Sequence, residues 1–235
     1  VAHAFSRVNG LPVTILYPRG KISPFQEKQI NEVEDPHHRI LPLAVNGDFD
    51  ACQKIAKQLL MVRDCVLSSN SISLARLLPQ IGYHSWVAAQ LGQPCTLVVP
   101  SGNMGNACSA LMARSMGAAI RAVHIATNEN DAVVRFLSDD DTVYTPKPTV
   151  FTPATAMDVG KPSNMVRLLH MGIGTDTEHV SASSTSSTNI KIIQHEMGVC
   201  PHTACAYDAT VYLPYTRDAI VVLATASPRK FLFGG

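Results

Sequence analysis

The sequence predicts an α/β protein with mostly parallel sheets and flanking helices, arranged in two domains. Three observations carry that prediction. From residue 11 onward, short β-type runs alternate with segments of helical period, the pattern produced by right-handed crossovers between parallel strands. The apolar run Leu97 to Val99 breaks into Ser101-Gly102-Asn103-Met104-Gly105-Asn106 and then resumes as a helix. Such strand-loop-helix junctions lie at the carboxyl ends of parallel strands, where ligands bind. Finally, 235 residues at 46% hydrophobic and 16% charged are enough to bury a sizeable core.

The elements follow in order. Residues 12–18, PVTILYP, read as a strand, and PFQEKQINEVE as a helix with Pro24 in its first turn. RILPLAV is the second strand. In NGDFDACQKIAKQLL, Asp48 or Asp50 is placed to cap a helix whose apolar face is Phe49, Cys52, Ile55, Ala56 and Leu59 or Leu60. CVLSS reads as a third strand and SISLARLLPQIGYHSWVAAQLG as a long helix. The break between Gly92 and Pro94 separates an expected smaller domain, residues 1–93, on the substrate side, from a larger one, 94–235.

CTLVVPS is the fourth strand, Ala107 to Met116 a helix, IRAVHIAT the fifth strand and NDAVVRFL a short helix, with Asp131 as its cap. After Asp139 the pattern weakens into a Pro-, Thr- and Asp-rich stretch running to Arg167, which reads as a long ordered connection. Ser181 to Thr188, SASSTSST, is of low complexity and is expected to be mobile. TACAYDATVYL reads as helix and AIVVLAT as the last strand, ending at Thr225 before the loop ASPRKF.

A net charge of +1 gives no field that would favour nucleic acid or an anionic membrane, and no apolar run is long enough to span a bilayer. Six cysteines, without a CxxC pair, read as reduced core residues and point to a cytoplasmic setting. Cys200, His202 and Cys205 are residue types that bind zinc, but they lack the paired spacing and a fourth ligand; a turn into a buried helix accounts for them better. The chain opens on Val1, in what reads as mid-helix, which suggests a piece of something longer.

The Gly- and Asn-rich loop is suited to an anion. Glycines admit close approach, and the first-turn N–H groups of the following helix point outward with the positive end of its dipole behind them. The loop by itself does not choose a ligand. A dinucleotide fold wants GxGxxG with an acid about 20 residues on, and a P-loop wants Gly-Lys-Ser or Gly-Lys-Thr; neither is present.

Eight stretches narrow the choice: PRGKISPFQEKQ, GDFDAC, SSNSISLARLLPQIGYH, VVPSGNMGN, IATNENDAVVRFL, TPATAMDVGKPSNMVR, CPHTACAY and TASPRKF. In order and spacing the chain resembles the threonine synthase family from about Val1 to Phe231, least between Leu168 and Met197. The resemblance implies a tryptophan synthase β-like fold (pyridoxal-phosphate fold type II), here truncated at both ends. It also implies a lyase of amino-acid biosynthesis that converts O-phosphohomoserine and water to threonine and phosphate with pyridoxal 5'-phosphate as cofactor. By the same match Gly102, Asn103, Met104, Gly105 and Asn106 form the cup for the cofactor phosphate, and the Thr225 hydroxyl contacts the pyridine nitrogen. Asn70 and Ser71 lie against cofactor and substrate. Arg19, Lys21, Ser23 and Arg76 are candidates for the substrate's phosphate, Arg for bidentate contact and Lys as a point charge; solvated or structurally paired roles suit them about equally. His202 supports a turn in preference to touching the site.

The family's Schiff-base lysine, in a Phe-Lys-Asp segment, and a Ser-Gly-Asp-Thr-Gly loop for the substrate carboxylate would both fall upstream of Val1, so no catalytic residue is assigned within these 235 positions. Met104 and Asn106 stand where the family often has Phe and Asp, Ser227 where it usually has His, and Arg229 where a small residue is common. Two readings follow: a threonine synthase-like enzyme of which this is the middle and later part, or a truncated, non-catalytic homologue that binds a phosphate or another protein. Uncovered apolar faces would make the isolated chain self-associate.

Overall fold

A computed structural model describes residues 12–22, 24–32, 40–62, 66–138, 147–172, 176 and 178–228. Contacts divide the described chain into one unit reaching to Ser69 and a second running from Asn70 to Pro228.

In the first unit β1 (Val13–Pro18) and β2 (Ile40–Val45) pair in parallel, Val13 opposite Ile40 and Pro18 opposite Val45. Helix α1 (Pro24–Asn31) joins them, and α2 (Phe49–Val62) follows and packs on β1. Of the two expected caps, Asp48 is used: its Oδ1 accepts from the Ala51 N–H at 2.9 Å. The third strand expected over CVLSS is not formed in Val66–Ser69, which belongs to neither sheet among the described residues and where Val66 and Leu67 are 41% and 95% exposed; Cys65 lies outside the described residues. Strand-forming side chains without a partner strand make only an extended connection.

The second unit opens with α3 (Leu74–Leu91), ended by Gly92 in the left-handed conformation. Leu77 and Ala88 of α3 share one apolar cluster with the helix that follows the glycine-rich loop. Residues 70–93, assigned by sequence to the smaller domain, therefore pack with the larger unit: the Gly92–Pro94 break is a turn between packed neighbours.

Four parallel strands form the core sheet in the order β5-β4-β3-β6, with β3 (Cys95–Pro100), β4 (Ile120–Thr127), β5 (Val180–Ser184) and β6 (Ala219–Val222). All six residues of β3 are buried, as befits a central parallel strand covered on both faces. Leu97 and Val99 face α3 and α4 (Gly105–Ser115), whereas Val98 faces Ala206 and Ala209 of α8 (Pro201–Ala209). Short helices α5 (Ala132–Ser138) and α6 (Met165–His170) and the longer α7 (Ser187–Met197) complete the unit.

The described part of the connection before Arg167 is ordered, as expected, and carries a 3₁₀ turn, Thr155–Met157, and the start of α6. One expectation fails in this region. Ser181–Thr188 is ordered, its first half being β5 and its end the first turn of α7. Its serines are partners for a buried histidine: His124 on β4, 2% exposed, reaches Ser181 Oγ at 2.7 Å through Nδ1 and Ser183 Oγ at 2.8 Å through Nε2.

Candidate functional site

The chain runs β3, β4, β5 in one direction across the sheet and returns to place β6 on the other side of β3. The carboxyl end of β3 is thus a topological switch point, the position at which open α/β sheets leave a crevice. The loop Ser101–Met104 leaves β3 there and enters α4.

Met104 is the N-cap of α4 and the one non-glycine residue with positive φ among those described, at 60°. A β-carbon in that region costs about 1 kcal/mol, and the side chain offsets it by full burial beside Leu77 and Leu97. The first-turn N–H groups of α4 that follow Met104 have no intrahelical acceptors.

Two glycines bring other backbone up to the loop. A β-carbon on Gly105 would sit 2.6 Å from the Ser71 Cβ, and one on Gly102 would sit 2.6 Å from the Met157 Cα. The loop is therefore packed tightly between residue 71 on one side and the 155–157 turn on the other. His202, buried at the start of α8, holds that turn by accepting the Ala156 N–H on Nε2 at 3.2 Å, the supporting role favoured for it. Cys200 likewise caps α8 by accepting the Thr203 N–H.

The expected site residues divide into groups. Asn103 is tied into the scaffold: its Nδ2 donates to Ser71 Oγ at 3.2 Å, its Oδ1 accepts from both the N–H and the hydroxyl of Ser163, and its carbonyl accepts from Asn164 Nδ2 at 2.9 Å. Asn106 turns its side chain toward α3, Oδ1 accepting from Tyr83 Oη at 2.7 Å and from His84 Nε2 at 2.8 Å. Burial holds the His84 imidazole below its ordinary pKa, although the Asn106 bond pulls the other way, so the neutral Nε2–H tautomer is the donor.

Asn70 and Ser71 lie beside the loop, Asn70 Oδ1 closing an Asx turn on the Ile72 N–H. Thr225 is exposed, three residues beyond Val222, the last residue of β6, which pairs with Val98 of β3. Arg76 is exposed on the first turns of α3. Arg19 and Lys21 belong to the first unit, in the turn after β1, where the Arg19 N–H donates to the Val45 carbonyl. Ser23 lies outside the described residues. Asp131 accepts from Arg135 Nε at 2.8 Å in an i,i+4 ion pair.

The segment Pro162-Ser163-Asn164 belongs to the family pattern in the sequence, but no role is legible there for its members. Ser163, Asn164 and Arg167 prove to be the polar scaffold behind the loop. The density of small and amide residues there was the available signal; which carbonyls they reach is long-range information.

No family model matches the sequence. Threonine synthase of Haemophilus influenzae is 36% identical over 98% of this chain and 57% of its own length. The crystal structure of threonine synthase from Escherichia coli superposes with a TM-score of 0.88 at 36% identity, covering 98% of this chain and 56% of that one. The crystal structure of pyridoxal-phosphate-bound threonine synthase from Brucella melitensis superposes with a TM-score of 0.79 at 27% identity, over 97% of this chain and 57% of the other. The chain spans a little over half the length of these three relatives, and over that span its sequence and fold are similar to those of threonine synthases.

Proposed function

We propose that this chain carries the cofactor-phosphate site of a threonine synthase, an enzyme that takes O-phosphohomoserine and water to threonine and phosphate with pyridoxal 5'-phosphate. The observation that carries the proposal is the Gly102–Asn106 loop itself: it leaves the carboxyl end of β3 at the switch point, enters α4 through Met104 in the left-handed conformation, and packs Gly102 and Gly105 on Met157 and Ser71 too closely to admit a β-carbon. It suits a phosphate dianion, which needs several convergent N–H donors and no dedicated lysine. The Brucella melitensis threonine synthase binds the same cofactor.

Each residue's part follows from its chemistry. The N–H groups of Gly105, Asn106 and Ala107 hold the phosphate on the dipole axis of α4. The Thr225 hydroxyl, at the neighbouring strand end, meets the pyridine nitrogen with a neutral partner. The Asn70–Ser71 edge confines the cofactor's face, and Arg76 is a cationic contact for the substrate's phosphate; Arg19 and Lys21 are candidates for the same chemistry. When bound, the cofactor supplies the electron sink for carbanion chemistry at the amino acid.

The test is an assay of the full-length protein for threonine and phosphate from O-phosphohomoserine. Production of both in equal amounts, dependent on added pyridoxal 5'-phosphate, supports the proposal. Cofactor binding without either product would support a phosphate-binding homologue in its place.

A further inference from the structure

Arg167 is half-buried on α6 and directs its guanidinium at main chain. Its Nη1 donates to the Ser71 carbonyl at 3.0 Å and its Nη2 to the Ile72 carbonyl at 2.7 Å, two successive peptide oxygens taken by one planar fork. Nη1 also donates to Asn164 Oδ1. None of these acceptors is a carboxylate. A guanidinium that spends its donors on neutral carbonyls leaves its positive charge undiminished and fixes backbone geometry.

The carbonyls it takes belong to the segment packed against the glycine-rich loop. Ser71 is the residue against which Gly105 packs, and its hydroxyl accepts from Asn103 in the loop. Asn164, the third acceptor, donates to the Asn103 carbonyl. Arg167 thus closes a ring of hydrogen bonds that runs from α6 to residues 71–72, across to the anion loop at Asn103, and back through Asn164. Without the fork, the tie between this segment and the loop passes through the Ser71 side chain, while the main chain keeps the local Asx turn and the Ser73-to-Asn70 bond.

We infer that Arg167 is a positioning residue, whose bidentate grip on the Ser71 and Ile72 carbonyls sets that segment against the Gly102–Asn106 loop. The consequence for ligand binding rests on the functional proposal above; the consequence for loop order does not. Replacing Arg167 by glutamine removes charge and fork together, whereas Arg167→Lys keeps the charge and can reach one carbonyl at a time.

The experiment is amide hydrogen exchange on the wild-type chain and on R167Q and R167K, with inorganic phosphate binding measured on the same samples. The reporters are the Ile72 and Ser73 amides, with Ala204 in α8, bonded to the Cys200 carbonyl, as reference. The expected result is exchange at Ile72 and Ser73 faster by about tenfold or more in both variants, with Ala204 unchanged. Wild-type exchange in either variant, or acceleration shared equally by Ala204, would overturn the inference, the second result marking a general loss of stability. If the wild type binds phosphate, both variants should weaken it by about tenfold, and undiminished affinity would overturn the inference too. If the wild type binds no phosphate, the functional proposal fails and the exchange data alone decide the role of Arg167.

Discussion

Gly105 carries the most information of any single residue in the site. Placing a methyl there demands that Ser71 move away from a 2.6 Å contact, and Ser71 is held by the Arg167 and Asn103 bonds. Gly105→Ala should therefore destabilise the fold by about 1–3 kcal/mol, the usual range for overpacking, and lose anion affinity as well, as thermal unfolding and phosphate titration would measure. A neutral or stabilising change would mean that the packing against Ser71 is soft. His124 supplies a second test. Burial drives its pKa down from 6.5 to about 4, because the charged ring would be stranded under the sheet between two serines. With the folded pKa below the unfolded one, its contribution to stability is complete above about pH 6.5 and is lost as the pH falls toward about 4, to the extent of roughly 3 kcal/mol. Urea unfolding from pH 7 to pH 4 should show that loss, and His124→Gln should flatten the curve; an identical slope in the variant would refute the assignment.

At the scale of elements, helix starts decide local order. Ser186 caps α7 by accepting the Asn189 N–H at 3.2 Å, so Ser186→Ala should cost about 1 kcal/mol in the midpoint of chemical unfolding, and a change near zero would show the cap to be ornamental. That helix also marks where the sequence was hard to read. Elements with a strong period or a clean apolar run, such as α3, β3 and β4, were legible because their own residues state which face is buried. β5 was not: its serines carry no apolar pattern, and only the strand β4 and its His124 make them a strand. Val66–Ser69 is the converse case, in which β-forming residues belong to neither sheet among the described residues. The anion loop was visible as Gly102, Asn103 and Gly105 between an apolar run and a helix. The segment packed against it was only partly visible, since Asn70 and Ser71 were nominated by resemblance and Arg167 was passed over. Nothing local tells a reader that an arginine on a later helix will hold two carbonyls almost 100 residues earlier.

For the molecule as a whole, the four-stranded sheet brings the ends of β3 and β6 together at the switch point, and the loop belongs entirely to the unit from Asn70 to Pro228. Binding there should stabilise that unit by mass action. Pyridoxal 5'-phosphate at a hundred times its Kd should add about 2.7 kcal/mol to the unfolding free energy, read as a rise in thermal midpoint. If the binding groups are the proposed main-chain donors of the Gly102–Asn106 loop, the gain should depend on the phosphate and little on the ring. The decisive comparison is therefore the affinity of the wild-type chain for pyridoxal 5'-phosphate and for pyridoxal, by equilibrium dialysis, repeated with G105A. The phosphate ester should bind at least about tenfold more tightly than pyridoxal, and the substitution should remove the difference. Equal affinities in the wild type, or a preference that survives G105A, would contradict the assignment of the Gly102–Asn106 loop as a phosphate site.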